Sequence, residues 1–110
     1  MKMNANLASL ISNYSADAEY YDSVFGAFPE ASAEALYEYV QNGRRTGGFL
    51  EAVLVNDLYD AVGKADSTNS KLLREYVLFL YNHVPATCRG SLESYRDWIA
   101  YGGLNGVQRG

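Results

Sequence analysis

Residues 75–81, EYVLFLY, would place apolar side chains on nearly every side of a helix. Such a helix belongs in the middle of a fold, with neighbours on most sides. The aromatic and β-branched residues would also suit a strand, but strict alternation is absent, and Leu72 and Leu73 extend the helical pattern. We therefore predict a central helix over about Thr68–Asn82 that Pro85 brings to an end.

Two long apolar stripes precede this segment. Apolar residues in steps of three and four predict one helix over about Ala5–Gly26, with a break at Ser15 as the alternative. A second stripe, which includes Leu58 and Val62 on its buried side, predicts a helix over Phe49–Val62, and Asp57 falls on its apolar side. A carboxylate in that position would be buried or half-buried and would need a partner.

Capping residues divide the chain further. The predicted N-caps are Ser32, Thr46, Asp66 or Ser67, and Ser91, and the predicted stops are Pro29, Gly43 and the Gly102–Gly103 pair. The sequence thus predicts an all-α fold, a compact single-domain bundle of four or five helices over residues 1–102. Residues 103–110 are predicted to be a flexible C-terminal tail.

The composition excludes several classes of site. The chain has 110 residues, a single cysteine and a single histidine, so it has no intramolecular disulfide and no Cys/His set with metal-ligand spacing. No segment has the length or apolar character of a signal peptide or a membrane span. We expect a soluble cytoplasmic protein with no cofactor and no metal.

Charge is concentrated near the N-terminus. The formal net charge is -4, and residues 1–40 hold six acidic residues against Lys2 alone. Because non-specific nucleic-acid affinity comes from Lys and Arg neutralising phosphates, we expect no direct nucleic-acid binding.

The same N-terminal segments interleave tyrosines with carboxylates. Tyrosine is a frequent interface anchor, and acidic groups around it would attract a basic partner. The alternative is that these tyrosines pack at the edge of the core with wet hydroxyls. The predicted partner-binding residues are Asp17, Glu19, Tyr20, Asp22, Glu34, Tyr37 and Glu38.

A glycine-rich turn with two arginines, NGRRTGG at 42–48, is a candidate anion site. A helix start after glycines offers free N–H groups, and Arg44 and Arg45 would add positive charge beside Gly47 and Gly48. The spacing matches neither a Walker A loop nor a dinucleotide-binding motif. Turn chemistry explains all of these residues except the arginine pair, so we favour an interhelical turn.

Three further polar residues are interpreted as structural. Asn56 and Asp57 are expected to pin a neighbouring connection through hydrogen bonds, and Asn82 lies at the end of the central helix. His83 lies in the same last turn, where its side chain would interact favourably with the negative end of the helix dipole. Pro85 separates it from Cys88. No feature of the sequence aligns these two side chains for nucleophilic catalysis.

Residues 33–100 resemble a family of small, mostly uncharacterised proteins encoded by bacteriophages and prophages. The resemblance is carried by GGFLEAVLVNDL at 47–58, YNHVP at 81–85, CRGSLE at 88–93 and Trp98. Relatives of this kind have prolines before the glycine pair, where this chain has Arg44 and Arg45. The resemblance implies a phage context and no particular activity.

These observations predict a non-enzymatic interaction protein of phage or prophage type that binds a host macromolecule in the host cytoplasm. Inhibition of a bacterial defence complex such as a CRISPR effector fits the size and the acidity. The alternative function is sequestration of an anionic nucleotide at Arg44, Arg45, Gly47 and Gly48. The apolar content is also compatible with a homo-oligomer.

Overall fold

In the computed structural model, the backbone is described for residues 1–109 and the side chains for residues 1–106. Over this range the chain is helical, without strands, and it folds into one globule with a radius of gyration of 13.2 Å. The predicted all-α class is confirmed, but the predicted number of helices is wrong. The described chain has nine α-helices: α1 Ala5–Ala8, α2 Ala18–Phe25, α3 Glu30–Asn42, α4 Gly48–Leu54, α5 Leu58–Lys64, α6 Ser67–Lys71, α7 Leu73–His83, α8 Leu92–Tyr101 and α9 Gly103–Arg109.

The single helix predicted over Ala5–Gly26 is wrong. Asn4 caps α1 by accepting the Leu7 N–H at 2.9 Å, and α1 ends after one turn, where the Ser9 hydroxyl donates to the Asn6 carbonyl. A 3-10 turn over Tyr14–Asp17 then leads into α2. Serine and asparagine offer the backbone these alternative hydrogen bonds, which is why the apolar stripe does not continue as one helix.

The predicted helices Phe49–Val62 and Thr68–Asn82 are each two helices. Asn56 takes the left-handed conformation with φ 65° and separates α4 from α5, while Leu72 with φ −106° separates α6 from α7. The prediction that Asp57 is a buried or half-buried carboxylate is therefore wrong, because Asp57 is the exposed N-cap of α5.

Several caps are confirmed. Gly43 and Gly102 end α3 and α8 in the left-handed conformation, and Asp66 and Ser91 cap α6 and α8 through their side chains. Two predicted N-caps are wrong. Helix α3 begins directly after Pro29, so Ser32 lies inside it, and Gly47 precedes α4 in place of Thr46.

Residues 103–109 form a helix and not the predicted flexible tail, while Gly110 lies outside the described residues. Helix α9 packs on the end of α3. The contact is made by backbone, because a Cβ on Gly103 would lie 2.5 Å from the Gly43 nitrogen. The glycine pair that ends α8 therefore also allows the chain to turn and dock.

The buried core includes an aromatic cluster of Tyr39, Tyr95 and Trp98. Tyr39 stacks on Tyr95, its hydroxyl donates to the Cys88 carbonyl at 2.7 Å, and the Trp98 indole donates to the Tyr39 carbonyl at 2.9 Å. These bonds fasten α8 and the segment before it to α3. No helix among the described residues is long and apolar enough to cross a membrane.

Candidate functional site

The most distinctive surface of the molecule is an exposed apolar face on α5 and α7. We define the α5–α7 face as Leu58, Tyr59, Val62, Val77 and Tyr81, whose side chains are between 50% and 91% exposed. They are five of the nine exposed large apolar or tyrosine side chains in the described part of the chain. Exposed apolar residues concentrated in this way mark interaction surfaces more often than scattered ones do.

The left-handed turn at Asn56 creates the α5 half of this face. The Asp57 N–H donates to the Ala52 carbonyl at 2.8 Å, and the Asp57 carboxylate accepts the Asp60 N–H at 3.0 Å, so α5 starts immediately and folds back against α4. Helix α5 then buries Ala61. A small alanine contact leaves the larger side chains of α5 pointing outward.

The α7 half of the face follows from how α7 meets α2. Phe79 contacts Phe25 and His83 contacts Tyr21, both on α2. Val77 and Tyr81 each lie two residues from Phe79, which on a helix is about half a turn. They therefore lie on the opposite side of α7, away from α2.

A groove joins the two halves. Its volume is about 370 Å³, and Leu58 from α5 and Val77 from α7 both line it. Two adjoining depressions extend the surface, one along Tyr59 and one along Tyr81. The remaining apolar lining of the groove is Ala52, Val53, Ala61, Leu73 and Leu78.

Charged residues frame this groove. Asp57 and Arg74 line it directly, and Asp60 beside it pairs with Lys64 at 2.8 Å. Arg89 lines the adjoining depression along Tyr81, where its Nε donates to the Leu80 carbonyl at 2.8 Å and its guanidinium lies over the Tyr81 ring. An apolar centre with a polar rim is the usual anatomy of a protein interface.

Three of the seven predicted partner-binding residues are engaged in hydrogen bonds within the chain. The Asp22 carboxylate accepts the Tyr14 hydroxyl and the Met3 N–H, and these bonds lower the pKa of Asp22. Asn4 and Asn6 donate to Glu34, while Glu38 accepts from Asn42.

The other members of that surface differ in exposure. Tyr37 is half-buried against the core. Asp17, Glu19 and Tyr20 are exposed on α2 and the turn before it. These three of the seven residues are presented to solvent without an internal hydrogen bond or ion pair among the described residues.

The residues of the candidate anion site make contacts within the chain, as the favoured interpretation of an interhelical turn expects. Arg44 pairs with Glu38 at 3.3 Å, and Thr46 bonds to the Tyr95 hydroxyl and to the Gly47 carbonyl. Arg45 is exposed. Gly47 and Gly48 are also exposed, and Lys64 approaches Gly48 from α5. Turn formation and these contacts explain the segment without a ligand.

The remaining polar candidates differ in their exposure to solvent. Asn56 and Asn82 are exposed, and His83 packs among the rings of Tyr21, Phe25 and Phe79, where burial lowers its pKa. Among the residues with described side chains, no group of three His, Cys, Asp or Glu could hold a metal ion.

Cys88 is fully buried, and burial raises the pKa of its thiol to about 12. The thiolate is the reactive form, so the raised pKa strongly lowers its population at neutral pH relative to an ordinary cysteine. We expect iodoacetamide to leave the native protein unlabelled and to label it stoichiometrically in concentrated guanidinium chloride, as measured by intact mass. Rapid labelling of the native protein would show that Cys88 is accessible.

Sequence reasoning missed the α5–α7 face because it kept Leu58 and Val62 on a buried stripe. The available signal was the Asn56–Asp57 pair. Asparagine tolerates the left-handed conformation, and aspartate is a strong N-cap, so the pair can end one helix and begin the next.

Comparison with known proteins adds no assignment: no family model, curated protein sequence or solved structure matches the chain.

Proposed function

We propose that the chain is a non-enzymatic interaction protein that acts by binding another protein, and that the α5–α7 face is its binding surface. The observation that carries the proposal is the continuity of that face, from Tyr59 through the groove to Tyr81. Tyrosine and aliphatic side chains around a groove provide the anchors and pockets on which interface affinity depends.

The surroundings of Cys88 and His83, the only cysteine and histidine in the sequence, support the non-enzymatic part of the proposal. Cys88 is buried with a raised pKa, and His83 is half-buried against aromatic rings. A thiol that is protonated and out of reach of solvent is poorly suited to attack a substrate.

The resemblance to phage and prophage proteins suggests what kind of partner this is. We propose a protein of a bacterial host, and a component of a defence system is the specific form of this proposal. The exposed apolar face supports binding to a protein in preference to a nucleic acid, which would require a basic surface.

The test is quantitative affinity capture from bacterial host lysate with three versions of the protein. Val77→Asp places a charge in the middle of the α5–α7 face. Tyr20→Asp makes a comparable change at a similarly exposed position of the sequence-predicted surface, where Tyr20 is 56% and Val77 50% exposed. Because moving a carboxylate from water into an apolar contact is unfavourable, we expect Val77→Asp to reduce the retained partner at least tenfold. Tyr20→Asp should retain it.

The opposite pattern, with loss only for Tyr20→Asp, would move the binding surface to α2 and contradict the proposal. Thermal melting of both variants separates loss of binding from loss of folding. Both positions are exposed, so both melting temperatures should stay close to that of the native protein.

A further inference from the structure

Two charges beside the α5–α7 face have no ion-pair partner in the described part of the chain. Asp57 and Arg74 line the same groove from different walls, one at the start of α5 and the other in the first turn of α7. Neither forms an ion pair within residues 1–106, in contrast to Asp60, which pairs with Lys64. Both charges are therefore available for an ion pair with another molecule, although the Asp57 carboxylate also accepts the Asp60 N–H as the N-cap of α5.

This arrangement is complementary to itself. In a two-fold symmetric contact, each residue at position i meets residue j of the other copy, and j meets i in return. A two-fold axis passing through the groove would bring Asp57 of each copy towards Arg74 of the other. The projecting Tyr59 side chain, 91% exposed next to the groove, would cover apolar surface of the facing copy.

We propose that, in the absence of its partner, the protein is a homodimer in which a second copy covers the α5–α7 face. This inference rests on the proposed function, since it takes that face to be a protein-binding surface. It adds a form of regulation, because a face covered by a second copy is masked and the partner must compete with dimerisation.

The net charge of -4 does not prevent this contact. Repulsion between exposed charges is largely screened beyond about 8 Å at physiological ionic strength. Close Asp57–Arg74 pairs at the edge of a buried apolar surface are screened much less. The local charges consequently decide the contact, and the overall charge mainly lowers the association rate.

The test is sedimentation equilibrium of the native protein, Asp57→Arg, Arg74→Asp and an equimolar mixture of these two variants. We expect the native protein to be a dimer. Each variant alone should be mainly monomeric, with at least tenfold weaker association, because it opposes like charges twice. In the mixture both contacts again join opposite charges, so a heterodimer should form.

A native protein that is monomeric at 100 µM or more would overturn the inference, as would a dimer that both variants leave unchanged. Asp57→Arg also removes the N-cap of α5, so its folding is checked by circular dichroism. Asp57→Asn keeps a capping side chain and removes the charge, and Val77→Asp keeps both charges and disrupts the apolar contact. Each should also weaken the dimer, and an unaffected dimer in both would overturn the inference independently.

The two proposals fail in different ways. A monomeric native protein whose partner is lost in Val77→Asp would leave the proposed function in place and remove the dimer. A dimer that dissociates in Val77→Asp while the partner is still retained would keep the dimer and remove partner binding from the α5–α7 face.

Discussion

Replacing Trp98 with alanine is expected to lower the free energy of unfolding by about 3–5 kcal/mol. The side chain is 3% exposed, and its indole N–H donates to the Tyr39 carbonyl, which joins α8 to α3. Alanine would leave a cavity next to the stacked Tyr39 and Tyr95 rings and remove one buried hydrogen bond. Small domains have free energies of unfolding of about 5–15 kcal/mol, so this single substitution should remove a large part of the stability.

The measurement is urea denaturation followed by circular dichroism, since Trp98 is the only tryptophan and its fluorescence is lost in the variant. Tyr101→Ala on the same helix is the matched control. Tyr101 is 67% exposed, and its loss should change the free energy by no more than about 0.5 kcal/mol. Equal effects of the two substitutions would contradict the packing described for α8.

Gly103→Ala is expected to destabilise the protein by roughly 2–4 kcal/mol, because backbone strain and a steric clash act together. Gly103 has φ 68°, a conformation that L side chains rarely adopt. A Cβ there would meet the Gly43 nitrogen at 2.5 Å, and backbone atoms cannot move aside as a flexible side chain can. Helix α9 would have to leave its position on α3.

Gly63→Ala is the matched control for this prediction. Gly63 lies within α5, and a Cβ added to it would meet no atom within 4 Å. Alanine in a helix is more favourable than glycine, so this variant should gain about 0.5–1 kcal/mol. Both variants retain Trp98, and fluorescence-detected urea denaturation measures them. A neutral Gly103→Ala would indicate that residues 103–109 do not pack on α3 in solution.

The helical class of the fold could be predicted from the sequence, whereas the number of helices could not. Hydrophobic periodicity reports which residues face inward, and apolar residues in steps of three or four continue across a single left-handed residue such as Asn56 or a 3-10 turn such as Tyr14–Asp17. Capping residues were more reliable than stripes. Gly43, Asp66, Ser91 and Gly102 act as predicted because their roles depend on local backbone chemistry.

The α5–α7 face could not be predicted because exposure depends on contacts between distant segments. Val77 belongs to an apolar run that suggests burial on all sides, yet it lies on the side of α7 away from α2 and is half exposed. Conversely, the sequence suggests that Asp22 and Glu34 are free carboxylates on the surface. They are held by Met3, Tyr14, Asn4 and Asn6, which lie elsewhere in the chain. Such pairings follow from the tertiary fold and have no sequence signature.

Photo-cross-linking from two positions in bacterial host cells tests the proposed binding surface most directly. A photoreactive amino acid is placed at position 77 in one variant and at position 20 in the other, on opposite sides of α7, and the cross-linked peptides are identified by mass spectrometry. We predict adducts from position 77, either to a host protein or to residues 58–81 of a second copy, and none from position 20. Adducts to a host protein from position 20 alone would show that the α5–α7 face is not the binding surface.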